Sequence, residues 1–135
     1  MNLLAKVLVT IGSAVSIGFG IWHLFVPAIW RWYSYIDASA KELVLAVRAV
    51  NVLFSLALVL FGIVNLLLAY RHKANRYSLA VVLGATCVLW ATRLALQVVY
   101  PQGSINPSLQ YGMLVAFTAV TLCYAISLLI VVSRP

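Results

Sequence analysis

Residues 49–70 read AVNVLFSLALVLFGIVNLLLAY, without a single Asp, Glu, Lys or Arg. A helix needs about 20 largely apolar residues to cross the hydrocarbon of a bilayer, so this stretch predicts a membrane-spanning helix. Residues 7–30 and 94–133 are equally free of charge, and so is 77–92, which only Arg93 separates from the last run. Four crossings fit, at about 3–29, 41–70, 77–100 and 107–133. The alternating stretches of roughly 10 residues that mark a transmembrane β-barrel do not occur. The expected fold is all-α: a polytopic membrane protein with a single domain over 1–135, built as a four-transmembrane-helix bundle.

The rest of the composition agrees. Of 135 residues, 65% are hydrophobic and only 8% charged, where an average soluble domain has roughly 25% charged residues. Too few polar groups are present to cover a soluble globule, which excludes a water-soluble enzyme. Gly, Pro and Cys are too scarce for collagenous, disordered or disulfide-stapled classes. The first apolar run continues to Trp30, past any plausible cleavage point near Gly12-Ser13-Ala14, so helix 1 reads as a retained span and not a signal peptide. Cys87 and Cys123 lie within spans and read as small packing residues; no C-x-x-C pattern points to redox work.

The net charge of +7 would suggest nucleic acid in a soluble chain; here it reads as topology. The connection between helices 2 and 3 holds Arg71, His72, Lys73 and Arg76, and Lys6 and Arg134 belong to the same side. The other side offsets Arg31 and Lys41 with Asp37 and Glu42. The positive-inside rule then places the basic connection and both termini in the cytoplasm, with anionic lipid headgroups as the neighbours of the basic side chains and no nucleic-acid partner.

Polar and small residues fall on stripes at helical spacing. Helix 1 carries Ser13, Ser16, Gly20, His23 and Pro27; helix 2 carries Arg48, Asn51, Ser55, Gly62 and Asn65; helix 3 carries Thr86, Trp90, Arg93, Gln97 and Tyr100; helix 4 carries Thr118, Thr121, Tyr124 and Ser127. Such faces turn toward other helices, because lipid offers polar groups no partner. Trp30, Trp32, Tyr33 and Tyr35 predict a short interfacial aromatic segment between helices 1 and 2. Ser39-Ala40-Lys41-Glu42 matches a capping box and predicts a helix start near Ala40. Asn106-Pro107 predicts the start of helix 4.

Counting residues from the outer ends places His23, Arg48 and Arg93 at one level, roughly 10 Å below the outer rim, with Asn51 and Gln97 about a turn away. A buried arginine costs about 2.5–3.5 kcal/mol at midspan on insertion scales, so each needs a compensating group. One reading is snorkelling to the headgroups or pairing with Asp37 or Glu42, the only acids in the chain. The other is an outward-facing pocket formed by His23, Arg48, Asn51, Arg93 and Gln97. A guanidinium fork suits a lipid phosphate, a carboxylate or a quinone head, and an imidazole can donate or accept. No catalytic set, phosphate-cradling loop or metal site is discernible. Bis-His haem would require two copies of His23 across a homodimer.

Gly20-Ile21-Trp22-His23-Leu24-Phe25-Val26-Pro27 resembles the Gly-x-x-His-x-x-x-Pro segment that ends the first of four helices in DoxX-like small bacterial membrane proteins. Relatives often have Phe after the His, where this chain has Leu24. The resemblance implies a four-helix bundle in a bacterial inner membrane, a link in some relatives to quinone-dependent redox metabolism, and a functional role for His23.

Two functions are carried forward. The first is a non-enzymatic accessory or assembly subunit of a larger membrane complex, or a homo-oligomer, packing through its small-residue and hydroxyl faces. The alternative is a redox-linked module binding a quinone or a lipid, the only cofactors in view.

Overall fold

The computed structural model describes residues 1–71, 75–103 and 106–133. Four long helices carry almost the whole chain: α1 (Leu3–Ile29), α2 (Lys41–Tyr70), α3 (Arg76–Val99) and α4 (Pro107–Val132), with a short 3₁₀ turn, η1 (Trp32–Tyr35), between the first two. Each of the four is long and apolar enough to cross a membrane. The chain is an all-α multi-pass membrane bundle, and each boundary lies within one residue of the span expected from the sequence. His72, Lys73 and Arg134, used above to read topology, lie outside the described residues.

The helix starts follow local chemistry. Asn2 Oδ1 accepts from the Ala5 amide at 2.9 Å, Asn75 Oδ1 from Tyr77 at 2.9 Å, and Asn106 Oδ1 from Ser108 at 3.1 Å, which satisfies amides with no partner inside the helix. The capping box expected at Ser39 does not form. Ala40 is the residue that precedes α2, without a side-chain cap. Asp37 Oδ1 instead accepts from the Ser39 amide at 2.9 Å, so a turn one step earlier claims that amide. This bond, with a further one from the Ser39 hydroxyl, holds the Asp37 carboxyl below its ordinary pKa.

The helices meet through small residues and buried polar groups, while apolar side chains face outward. Leu53, Val88, Val115 and Leu129 are all well exposed, as side chains bathed in acyl chains are. α1 packs closest on α2, and α4 bridges α1 and α3; of the four neighbouring pairs around the bundle, α2 and α3 meet least. Gly20 sets the α1–α2 spacing: a Cβ there would stand 2.7 Å from the Ser55 carbonyl oxygen and 2.9 Å from Val59 Cγ2. The core of the bundle is a directed hydrogen-bond chain. Trp90 Nε1 donates to Ser16 Oγ at 2.9 Å. The Ser16 hydroxyl donates to the Gly12 carbonyl at 2.8 Å, so it accepts from the Tyr124 hydroxyl at 3.1 Å. Tyr124 is then free to accept from Ser13 at 3.2 Å. Three helices are joined with every hydroxyl proton placed, as a low-dielectric interior demands.

Hydroxyls expected to link helix 4 to its neighbours divide into two groups. Tyr124 and Ser127 do so, the latter reaching the Ala5 carbonyl at 3.4 Å. Thr118 and Thr121 donate to the Leu114 and Phe117 carbonyls of their own helix at 2.8 and 2.7 Å. The small face of α1 is consumed inside the molecule, since Gly12, Ser13, Ser16 and Gly20 are all buried.

Candidate functional site

At the end of the bundle that carries η1, residues of both α2 and α3 line an opening. Toward the opposite end the two helices are clasped by Asn65 Nδ2, which donates to Thr86 Oγ1 at 2.7 Å. The opening is a cavity of about 580 Å³, bounded by His23 of α1, Trp32 of η1, Asn51 and Phe54 of α2, Arg93 of α3, and Gln102 just after α3. That is within the 300–1,000 Å³ typical of small-molecule sites. Val50 and Leu96, also on its wall, are 67% and 47% exposed, so the cavity has an open apolar side where α2 faces α3.

Arg93 is the dominant charge. It is only 7% exposed. Nη2 donates to Gln102 Oε1 at 2.6 Å and Nη1 makes a longer contact of 3.5 Å with Gln97 Oε1. Its guanidinium carbon lies 4.4 Å from the centre of the Phe117 ring, a cation–π contact. All of these partners are neutral. The only acids in the chain are Asp37 and Glu42; both are exposed, and Asp37 is occupied by Ser39. A guanidinium has five N–H donors, so donors remain beyond these two contacts.

Gln97 is buried and steadies this arrangement, its Nε2 donating to the Gln102 carbonyl at 3.0 Å. Gly103, with φ +77°, supplies the left-handed turn that brings Gln102 back over the end of α3.

His23 is half-buried beneath Trp32 and against Phe54, whose ring centre is 4.8 Å away at 68°. Its Nδ1 lies 3.4 Å from Ser55 Oγ. The Ser55 hydroxyl donates to the Asn51 carbonyl at 2.7 Å, so it faces the imidazole as an acceptor and favours the Nδ1–H tautomer. Asn51 adjoins the ring. Among the described residues its buried Oδ1 has no hydrogen-bond partner, a costly condition unless something supplies one.

Of the five residues expected to form a pocket, His23, Asn51 and Arg93 line the cavity, and Gln97 supports it from behind. Arg48 does not take part. It is exposed, and its guanidinium carbon lies 5.5 Å from the centre of the Tyr33 ring. His23 stands level with Ser55, seven residues along α2 from Arg48, or about 10 Å further in. The expectation of one shared level therefore fails for Arg48, which the interfacial aromatic turn captures. Sequence reasoning missed Gln102, Trp32 and Phe54. Gln102 carried one signal, a carboxamide just beyond Tyr100-Pro101, where a loop can fold back on the helix end.

Among the described residues no group of three or more His, Cys, Asp or Glu comes together. Comparison with known protein families, with curated proteins and with solved structures finds no match to this chain.

Proposed function

We propose that this chain is an integral protein of a bacterial inner membrane that binds an amphiphilic ligand, a lipid or a quinone, with its head in the cavity between α1, α2 and α3. The observation that carries the reading is Arg93: a buried cation on the wall of a 580 Å³ opening, held by neutral groups alone. Removing a guanidinium from water without an anion is unfavourable by several kcal/mol, and a ligand with an anionic or carbonyl head offsets that cost. Asn51 and His23 add polar capacity on the facing wall. The apolar side chains of Phe54, Val50 and Leu96 suit the ligand's hydrocarbon.

The orientation belongs to the same proposal. Lys6, Arg71 and Arg76 gather at the end with the termini, while Asp37 and Glu42 offset Arg31 and Lys41 at the other. With basic residues inward, the termini are cytoplasmic and the cavity lies in the outer leaflet. The likeness of residues 20–27 to DoxX-like proteins supports the inner-membrane setting.

An accessory or assembly role within a larger membrane complex is the companion reading. Its motive was a set of small-residue faces, and on α1 those pack inside the bundle. What favours it is the broad exposed apolar surface on all four helices, which a partner's helix could cover as readily as lipid.

The test is extraction of the protein purified in an uncharged detergent, followed by mass spectrometry of what leaves it. A lipid or quinone is expected near one per chain, and is expected to be depleted in Arg93→Gln. Protein that carries nothing and shows no saturable binding of added amphiphiles contradicts the reading.

A further inference from the structure

The same cavity narrows the class of ligand, on the premise that it binds an amphiphile at all. We infer that its occupant is a single-chain amphiphile with a carboxylate head, a long-chain fatty acid, which slides in from the surrounding leaflet between α2 and α3 with its carboxylate on Arg93.

Three observations converge. The first is charge. Arg93 is 7% exposed and its partners are the carboxamides of Gln97 and Gln102 and the ring of Phe117, so the wall has an unneutralised positive charge. A planar guanidinium with spare N–H donors matches a carboxylate in two parallel hydrogen bonds. An uncharged quinone carbonyl or alcohol leaves that charge unopposed.

The second is size. At roughly 30 Å³ per water-sized group, 580 Å³ holds about 20 non-hydrogen atoms. A sixteen- to eighteen-carbon acid has about that number and fits whole, whereas a diacyl phospholipid, with more than twice as many, leaves most of its chains outside. The third is the way in. Val50 of α2 and Leu96 of α3 are apolar, exposed and on the cavity wall, and these two helices touch far less than α1 and α2 or α3 and α4 do. Hydrocarbon can pass that apolar side without meeting water.

The experiment is competition on the full-length protein in an uncharged detergent at pH 8.5, with radiolabelled palmitate as the probe. Unlabelled palmitate, hexadecanol, phosphatidylglycerol and a short-chain ubiquinone are the competitors. Palmitate is expected to displace the probe at least about tenfold better than hexadecanol, as a charge-assisted contact requires. It is also expected to outcompete phosphatidylglycerol and the quinone. Arg93→Gln, which keeps a hydrogen-bonding side chain, is expected to erase the preference over hexadecanol. Val50→Trp, an exposed position whose replacement obstructs the open apolar side, is expected to slow or abolish uptake in a folded protein.

Equal displacement by palmitate and hexadecanol on the wild-type chain overturns the carboxylate assignment while leaving amphiphile binding intact. Stronger displacement by phosphatidylglycerol or quinone overturns the single-chain assignment. Absence of saturable probe binding, together with no co-purifying amphiphile, brings down this inference and the binding reading together.

Discussion

Trp90 of α3 donates its indole N–H to the Ser16 hydroxyl of α1 at 2.9 Å, across the centre of the bundle. That one oxygen also accepts from Tyr124 at 3.1 Å and donates to the Gly12 carbonyl. Ser16→Ala therefore strands the buried Trp90 N–H and leaves the Tyr124 hydroxyl with Ser13 alone. The expected cost is about 1–3 kcal/mol for the stranded donor, read as a lower midpoint of thermal unfolding in detergent. Ser16→Cys keeps a weak acceptor and is expected to lose less.

Gly20 and Gly84 give a matched pair. A Cβ at position 20 meets backbone at 2.7 Å, and backbone cannot swing aside. Gly20→Ala is expected to force α1 from α2 and to destabilise by about 1–3 kcal/mol. A Cβ at position 84 meets nothing within 4 Å. Gly84→Ala is expected to be neutral or stabilising by up to about 1 kcal/mol, the helix-propensity difference. Unfolding of both variants in one detergent checks the contrast.

The spans, their order and the polar stripes were legible in the sequence because lipid leaves so few alternatives: every backbone group must bond within its own helix. The site was legible in part. Periodicity placed His23, Asn51 and Arg93 on inward faces. It could not separate Arg48 from Asn51, which lies only about 60° away around the helix. That choice was made by Tyr33, whose position depends on the left-handed backbone of Arg31 at φ 51° and the turn it starts. Gln102 was hidden for a similar reason, since loops that fold back leave no period. Polar groups shared among three helices, such as Ser16, Tyr124 and Trp90, reveal their partners only once the helices are assembled.

Arg76 closes the far end of the bundle. Its Nε and Nη2 donate to the Val131 and Val132 carbonyls at 2.8 and 2.6 Å, satisfying the last turn of α4. Arg76→Ala is expected to fray that turn and leave the η1 end untouched. Faster amide exchange over the final turn of α4, with none at residues 107–113, checks this.

The Asp37–Ser39 turn carries a small pH dependence. The carboxylate is favoured by the Ser39 amide, so its pKa lies below the ordinary 3.8. A depressed carboxyl pKa gives a contribution that is complete above the ordinary value and fades as the pH falls through the depressed one. The turn is therefore expected to hold at pH 5 and to loosen only in stronger acid, with the Ser39 amide resonance moving upfield as it does. Asp37→Asn is expected to remove that acid transition.

Native mass spectrometry of three chains purified side by side from membranes tests the role of Arg93 most directly. Arg48 and Arg93 have the same charge, lie near the same end and differ in one respect: Arg93 lines the cavity and Arg48 leans on Tyr33 outside it. The wild type and Arg48→Gln are expected to carry one bound anionic amphiphile, and Arg93→Gln to have lost it. Equal loss in both variants, or equal retention, would mean that the buried guanidinium does not hold a ligand in that cavity.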